Sequence, residues 1–169
     1  ESAIIDSKCK YLIFRTSWLY STYGNNFVKT VLRAAKEKSE LRVVCDQIGA
    51  PTSAELVADV TSLCLYRIIQ DDFSPKVISG VYHLTSTGKT SWYDFAKYVI
   101  IEAQKFGGIF IAKPENIIAI NTLEYPLPAK RPENSLLNSQ KLCKTFNIYL
   151  PSWKIHADRV IKELYLGEV

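Results

Sequence analysis

Methionine is missing from this chain altogether, and the first residue is Glu1. A translated reading frame starts with Met, so the expectation is a fragment whose first residues were set by a cut. Histidine is nearly missing too, with only His83 and His156, and nothing pairs with either at metal-ligand spacing. Both read as structural. Cys9, Cys45, Cys64 and Cys143 show no CxxC or other metal spacing. Three of them lie in apolar patterns, so they read as buried free thiols, which suits the cytoplasm. No apolar run approaches the roughly 20 residues that a membrane span needs, and no signal peptide is visible. There is no basic cluster: the net charge of +4 is spread along the chain, which speaks against nucleic acid as a partner. The seven glycines never approach GxGxxG or GxxxxGK, so no Gly-rich phosphate loop exists. Nor is there a nucleophile elbow or a Ser-His-Asp order.

What is present suits one globular domain. The 169 residues are 47% hydrophobic and 22% charged. Residues 11–14 (YLIF) read as a buried strand. Asn25 or Asn26 caps a helix in which Phe27, Val28, Val31, Leu32 and Ala35 share one face. Residues 41–45 form a second strand, followed by a turn-rich DQIGAP. Thr52-Ser53-Ala54-Glu55 fits a capping box for the helix behind it. Residues 80–84 form a third strand. Thr90 or Ser91 caps a helix that Gly107-Gly108 stops. A short strand follows at 109–112, then a Pro-rich loop at 121–135 and a last helix over 153–165. Strands alternate with helices, so the fold class is α/β.

Ligands of open α/β sheets bind beyond the carboxyl ends of the strands. Trp18 lies there, where it is either a core aromatic or a platform for a sugar or base. Thr16 and Ser17 can offer hydroxyls to a cofactor amide or a sugar oxygen. Asn25 and Asn26 can bond a polar ligand or cap the helix. Arg131, at the end of the Pro-rich loop, either reaches a diphosphate or pairs with a surface carboxylate. Tyr93 and Lys97 form a Tyr-x-x-x-Lys spacing inside an amphipathic helix and read as an ordinary solvent-facing pair.

Five stretches are familiar as a set: FRTSWLYSTYGNNFVKTVLRAAKE, VVCDQIGAPTSAELVAD, GVYHLTSTGKTSWYDFA, YPLPAKRPENSLLN and LPSWK. Together they resemble the dTDP-4-dehydrorhamnose reductases, extended short-chain dehydrogenase/reductases of dTDP-L-rhamnose formation. The resemblance implies that residues 1–169 are the C-terminal part of an NAD(P)-binding Rossmann-like fold, including the substrate-binding lobe. Glu1 then matches the last Glu of a Tyr-x-x-x-Lys-x-x-Gly-Glu motif, so the catalytic Tyr and Lys are expected upstream, with none in this chain. The chain alone is expected to be inactive and to associate as a homodimer or with a missing N-terminal half. The resemblance puts Trp18 against the sugar ring of a dTDP-sugar and Thr16 and Ser17 near the nicotinamide of NADPH or NADH. It makes Asn25, Asn26 and Arg131 walls of the nucleotide-sugar cleft. Glu55 matches a carboxylate near a dimer-interface magnesium. The reaction implied is reduction of dTDP-4-dehydro-β-L-rhamnose to dTDP-β-L-rhamnose. Two other readings stand beside it: a binding relative similar to the methionine adenosyltransferase β subunit, and another nucleotide-sugar epimerase or reductase.

Overall fold

A computed structural model of the chain describes residues 1–70, 78–126, 129 and 131–166. In chain order the elements are α1 (Ser2–Asp6), β1 (Leu12–Arg15), β2 (Leu19–Tyr20), α2 (Phe27–Glu37), β3 (Leu41–Val44), β4 (Ile48–Gly49) and β5 (Thr52–Ser53). Then come α3 (Ala54–Gln70), β6 (Gly80–His83), β7 (Thr90–Ser91), α4 (Trp92–Lys105), β8 (Ile117–Ile120), α5 (Gln140–Phe146) and α6 (Trp153–Leu166). Among the described residues, no helix is long and apolar enough to cross a membrane.

Helix starts follow the side-chain chemistry. Asn26, not Asn25, caps α2: its backbone is extended and its Oδ1 accepts the Lys29 N–H at 3.2 Å. Ser91 caps α4, accepting the Asp94 N–H at 3.0 Å. At α3 the expected box is displaced by one residue, because Ser53 rather than Thr52 accepts from the backbone, taking the Leu56 N–H at 3.0 Å. Helix α4 ends in a Schellman motif: Gly107 sits at φ +88°, its N–H bonds the Gln104 carbonyl, and the Gly108 N–H bonds that of Ala103.

Two apolar cores result. In the first, α2 contributes Val28, Val31, Leu32 and Ala35; α4 adds Phe95, Ala96, Val99, Ile100 and Ala103; α6 adds Trp153, Ala157, Val160 and Ile161. These pack with Leu41 and Ile117 of the parallel β3–β8 pair. In the second core, Leu56, Val60 and Cys64 of α3 and Leu142 and Phe146 of α5 pack with Tyr82, beside Leu12 and Phe14.

The expected fold class, a C-terminal part of a Rossmann-like fold, is corrected by this second core. Strand β1 pairs in parallel with β6 along its whole length, from Leu12 opposite Gly80 to Arg15 opposite His83. Its side chains meet α3 and α5 of the same chain, so a Rossmann-type strand–helix layer is present beside the lobe around α2, α4 and α6. Two further expectations are overturned. Residues 109–112 are not a strand: the N–H groups of Ile111 and Ala112 both reach the Ala35 carbonyl, at 2.9 and 3.0 Å, so this apolar run lies against the α2 end as a loop. The strand lies later, at β8. All four cysteines are free, but only Cys64 is buried outright, and burial pushes its thiol up to about 11.

Phe95 ties the first core together. It is 1% exposed and its ring meets those of Tyr20, Phe27 and Trp153. Phe95→Ala should lower stability by about 3–5 kcal/mol, read as a shift in the urea midpoint at unchanged slope.

Candidate functional site

A cavity of about 1210 Å³ opens between the start of β2, one face of α2, strand β3 and the Pro-rich loop. Phe27, Thr30, Val31 and Ala34 line it from α2, at the spacing of one helix face. Trp18 and Trp92 form its aromatic end, and Arg42, Gln47, Tyr125, Arg131 and Ser135 bring polar groups to it. Of the residues singled out in the sequence, Trp18 and Arg131 meet here. Thr16, Ser17, Asn25 and Asn26 do not line the cavity.

Trp18 is held in an unusual state. Its φ is +50°, the left-handed region, which costs a non-glycine residue about 1–2 kcal/mol. Its carbonyl accepts the Thr52 N–H at 3.2 Å, opening the parallel β2–β5 pair. A Cβ built on Gly49 would lie 2.4 Å from Cε2 and 2.7 Å from Cδ2 and Nε1 of its indole. Cε2 and Cδ2 are the ring-fusion atoms, so Gly49 sits over a face of the ring. Trp92 lies parallel at 3.5 Å between centroids, 9° from coplanar. Two groups cannot share one face at these distances, so Gly49 and Trp92 cover opposite faces. In this state Trp18 presents its edge to the cavity, not a face on which a sugar ring could lie.

The Pro-rich loop is tied to the same place. The Ile48 N–H bonds the Glu133 carbonyl and the Ser135 N–H bonds that of Ile48, both at 2.8 Å. Ser17 Oγ donates to the Ser135 carbonyl at 3.2 Å. Arg131 rides on this anchored segment, exposed, and has no ion-pair or hydrogen-bond partner among the described residues. The surface-pair reading of Arg131 is therefore not realised. On the neighbouring side, Asp46 accepts the Thr122 backbone N–H, at 3.0 Å to each oxygen, and the Thr122 hydroxyl at 2.7 Å. These bonds hold its carboxyl below the ordinary value.

Other candidates fall elsewhere. Both ends of the Asn26 amide serve the backbone, since Nδ2 donates to Ser21 at 2.7 Å. Asn25 and Thr16 are exposed. Lys97 Nζ reaches the Tyr93 hydroxyl at 3.4 Å, a helix-surface pair that does not line the cavity. Glu55 Oε2 is buried without a hydrogen-bond partner. Among the described residues, no group of three or more His, Cys, Asp or Glu side chains could hold a metal ion. Trp92 was missed as a site residue. As the first apolar residue behind a cap it reads as core, and only the β4–β7 pairing, Gly49 opposite Thr90, brings it to Trp18.

The sequence model of the RmlD substrate binding domain matches residues 1–166. The chain belongs to this family. It is 46% identical over 165 residues to the dTDP-4-dehydrorhamnose reductase of Escherichia coli K12, covering 98% of this chain and 53% of that protein. The crystal structure of dTDP-4-dehydrorhamnose reductase from Bacillus anthracis in complex with NADP superposes with a TM-score of 0.78 at 35% identity, over 96% of this chain and 52% of that one. The ortholog from Clostridium acetobutylicum gives 0.75 at 37% identity, over 92% and 49%. The chain thus spans about half the length of the relatives it matches. These matches correct the expectation of an inactive remnant of a parent enzyme. Family membership attaches to residues 1–166 of this chain itself, and inactivity is not carried forward.

His156 shows how the scaffold under the site responds to acid. It is 8% exposed on α6, with Nδ1 3.1 Å from Ser53 Oγ. Burial, then Arg159, holds its pKa below the ordinary 6.5, against the opposing pull of Asp59 and Glu55. The unfolded chain therefore binds the proton first. This contribution to stability is full above pH 6.5 and declines as pH falls from there toward the folded pKa. Melting temperatures of the wild type should fall over that window, and His156→Gln should flatten the slope.

Proposed function

We propose that this chain holds the dTDP-sugar in a dTDP-4-dehydrorhamnose reductase, which reduces dTDP-4-dehydro-β-L-rhamnose to dTDP-β-L-rhamnose with NADPH or NADH. The observation that carries this reading is the joining of Trp18 and Arg131 on one cavity, in a chain 46% identical to the E. coli reductase over 98% of its length. An aromatic wall and an unpaired guanidinium on a single cleft match the two ends of a sugar diphosphate. The guanidinium fork suits diphosphate oxygens, and the Trp18 indole, once one of its faces is cleared, suits the C–H face of a deoxysugar. Arg42, at the cavity wall, is already paired with Glu124 at 3.2 Å, which leaves Arg131 and Lys38 as the lining cations without an ion-pair partner among the described residues.

The cofactor reading rests on the B. anthracis relative, which is in complex with NADP. Thr16, just past the carboxyl end of β1, has an exposed hydroxyl with no partner among the described residues, and it fits the carboxamide of a nicotinamide. When bound, that group supplies the hydride for C4 of the sugar. Ser17 donates its proton to Ser135 and keeps a lone pair for the same ligand.

Titration calorimetry with dTDP and with dTDP-L-rhamnose tests the reading, together with loss of reduced-nicotinamide absorbance on adding the 4-keto sugar. Arg131→Ala should weaken both ligands, by about tenfold for a lost charge-assisted contact. Trp18→Ala should weaken the sugar nucleotide about three- to tenfold while leaving dTDP nearly unchanged. Equal affinities for wild type and both variants would remove Trp18 and Arg131 from the site.

A further inference from the structure

Trp92 occupies a face of Trp18 that a sugar would need. We propose that Trp92 is a gate on the sugar subsite, stacked on Trp18 in the free protein and displaced when the ring of the sugar nucleotide takes its place; this rests on the dTDP-sugar reading above. Several observations converge. The two indoles lie almost fully overlapped, since 3.5 Å between centroids at 9° leaves no room for lateral offset. Full overlap sets one negative π face on another, the arrangement that aromatic pairs favour least. The C–H groups on the face of a sugar ring carry the opposite polarity and replace an indole there with better electrostatics.

The other face of Trp18 cannot open in the same way. It is covered by the backbone of Gly49, which is fixed opposite Thr90 in the β4–β7 pair. Its neighbour Ile48 is bonded to the Pro-rich loop through Glu133 and Ser135. Trp92 is a side chain on the first residue of α4, half-buried, and it lines the 1210 Å³ cavity into which it would swing. Its remaining ring contact, Phe27 at 4.4 Å and 49°, is tilted rather than stacked and lies on the same cavity. Ring and gate therefore compete for one surface, and the free protein shows the gate in place.

Competition sets the direction of the mutational effect. A residue that walls the substrate weakens binding when removed; a residue that must leave strengthens it. Far-UV circular dichroism reads the stack, because two indoles in face contact give an excitonic signal that Trp92→Leu must abolish. Saturating dTDP-L-rhamnose should remove that signal from the wild type, and dTDP, which has no sugar, should leave it. Trp92→Leu should bind dTDP-L-rhamnose about three- to tenfold more tightly than wild type, with dTDP affinity unchanged. Trp92→Phe, which keeps a smaller ring, should fall between and serves if the Leu variant melts without cooperativity. A stacking signal that persists at saturation, or weaker sugar-nucleotide binding by either variant, overturns the gate. In those cases dTDP still binds, so the substrate reading survives. Failure of wild type and variants alike to bind dTDP or dTDP-L-rhamnose overturns that reading and the gate with it.

Discussion

The burial of the Trp18 indole between Gly49 and Trp92 is the constraint on which the site depends. Each partner is supplied by a separate local rule. Ser91 caps α4, which makes Trp92 its first residue. The antiparallel β4–β7 pair then brings Gly49 opposite Thr90, one residue from that cap. Any side chain at Gly49 would enter the indole, so the absence of a Cβ there permits the contact. The left-handed backbone at Trp18 is the cost of turning the ring into this slot as the chain leaves β1 for β2. From Trp92 the contacts run through Phe27 to Phe95, Tyr20 and Trp153. The wall of the cavity is thus an extension of the first core, and pairs of this kind contribute about 0.5–1.5 kcal/mol each beyond their buried area.

Much of this was legible in the sequence, and the failures have physical causes. Helices α2, α4 and α6 declared themselves through apolar spacing and, at α2 and α4, caps. Helix α5 did not: it has seven residues, too few for a periodic pattern to stand out. The strand expected at 109–112 and the real strand β8 are both short apolar runs, and periodicity cannot separate them. Partnership decides, since Ile117–Ile120 faces β3 in register while the earlier run only caps the end of α2 through the Ala35 carbonyl. The capping box at Thr52 slipped by one residue because Ser53 next to it has the same chemistry. Trp18 and Arg131 were legible as site candidates from residue type and loop position. The role of Trp92 was not, because it depends on two strands of two residues each, which carry almost no local signal.

The Pro-rich loop supplies the last link between the two ends of the cavity. Its segment from Glu133 to Ser135 is bonded to Ile48, the neighbour of the glycine under Trp18, and its Ser135 carbonyl is bonded by Ser17, the residue before Trp18. Arg131 lies two residues upstream of this anchor. A displacement of Trp18 is therefore felt at the loop through Gly49 and Ile48 on one side and through Ser17 on the other. Both connections hold the segment from Glu133 to Ser135 from the inner side, while Arg131 is exposed and has no partner among the described residues. The side chain of Trp92 is the element whose departure leaves all of these backbone bonds intact. The backbone under the aromatic wall and the segment from Glu133 to Ser135 form one hydrogen-bonded unit that carries Arg131, and Trp92 is the ring that stacks on it without being bonded to it.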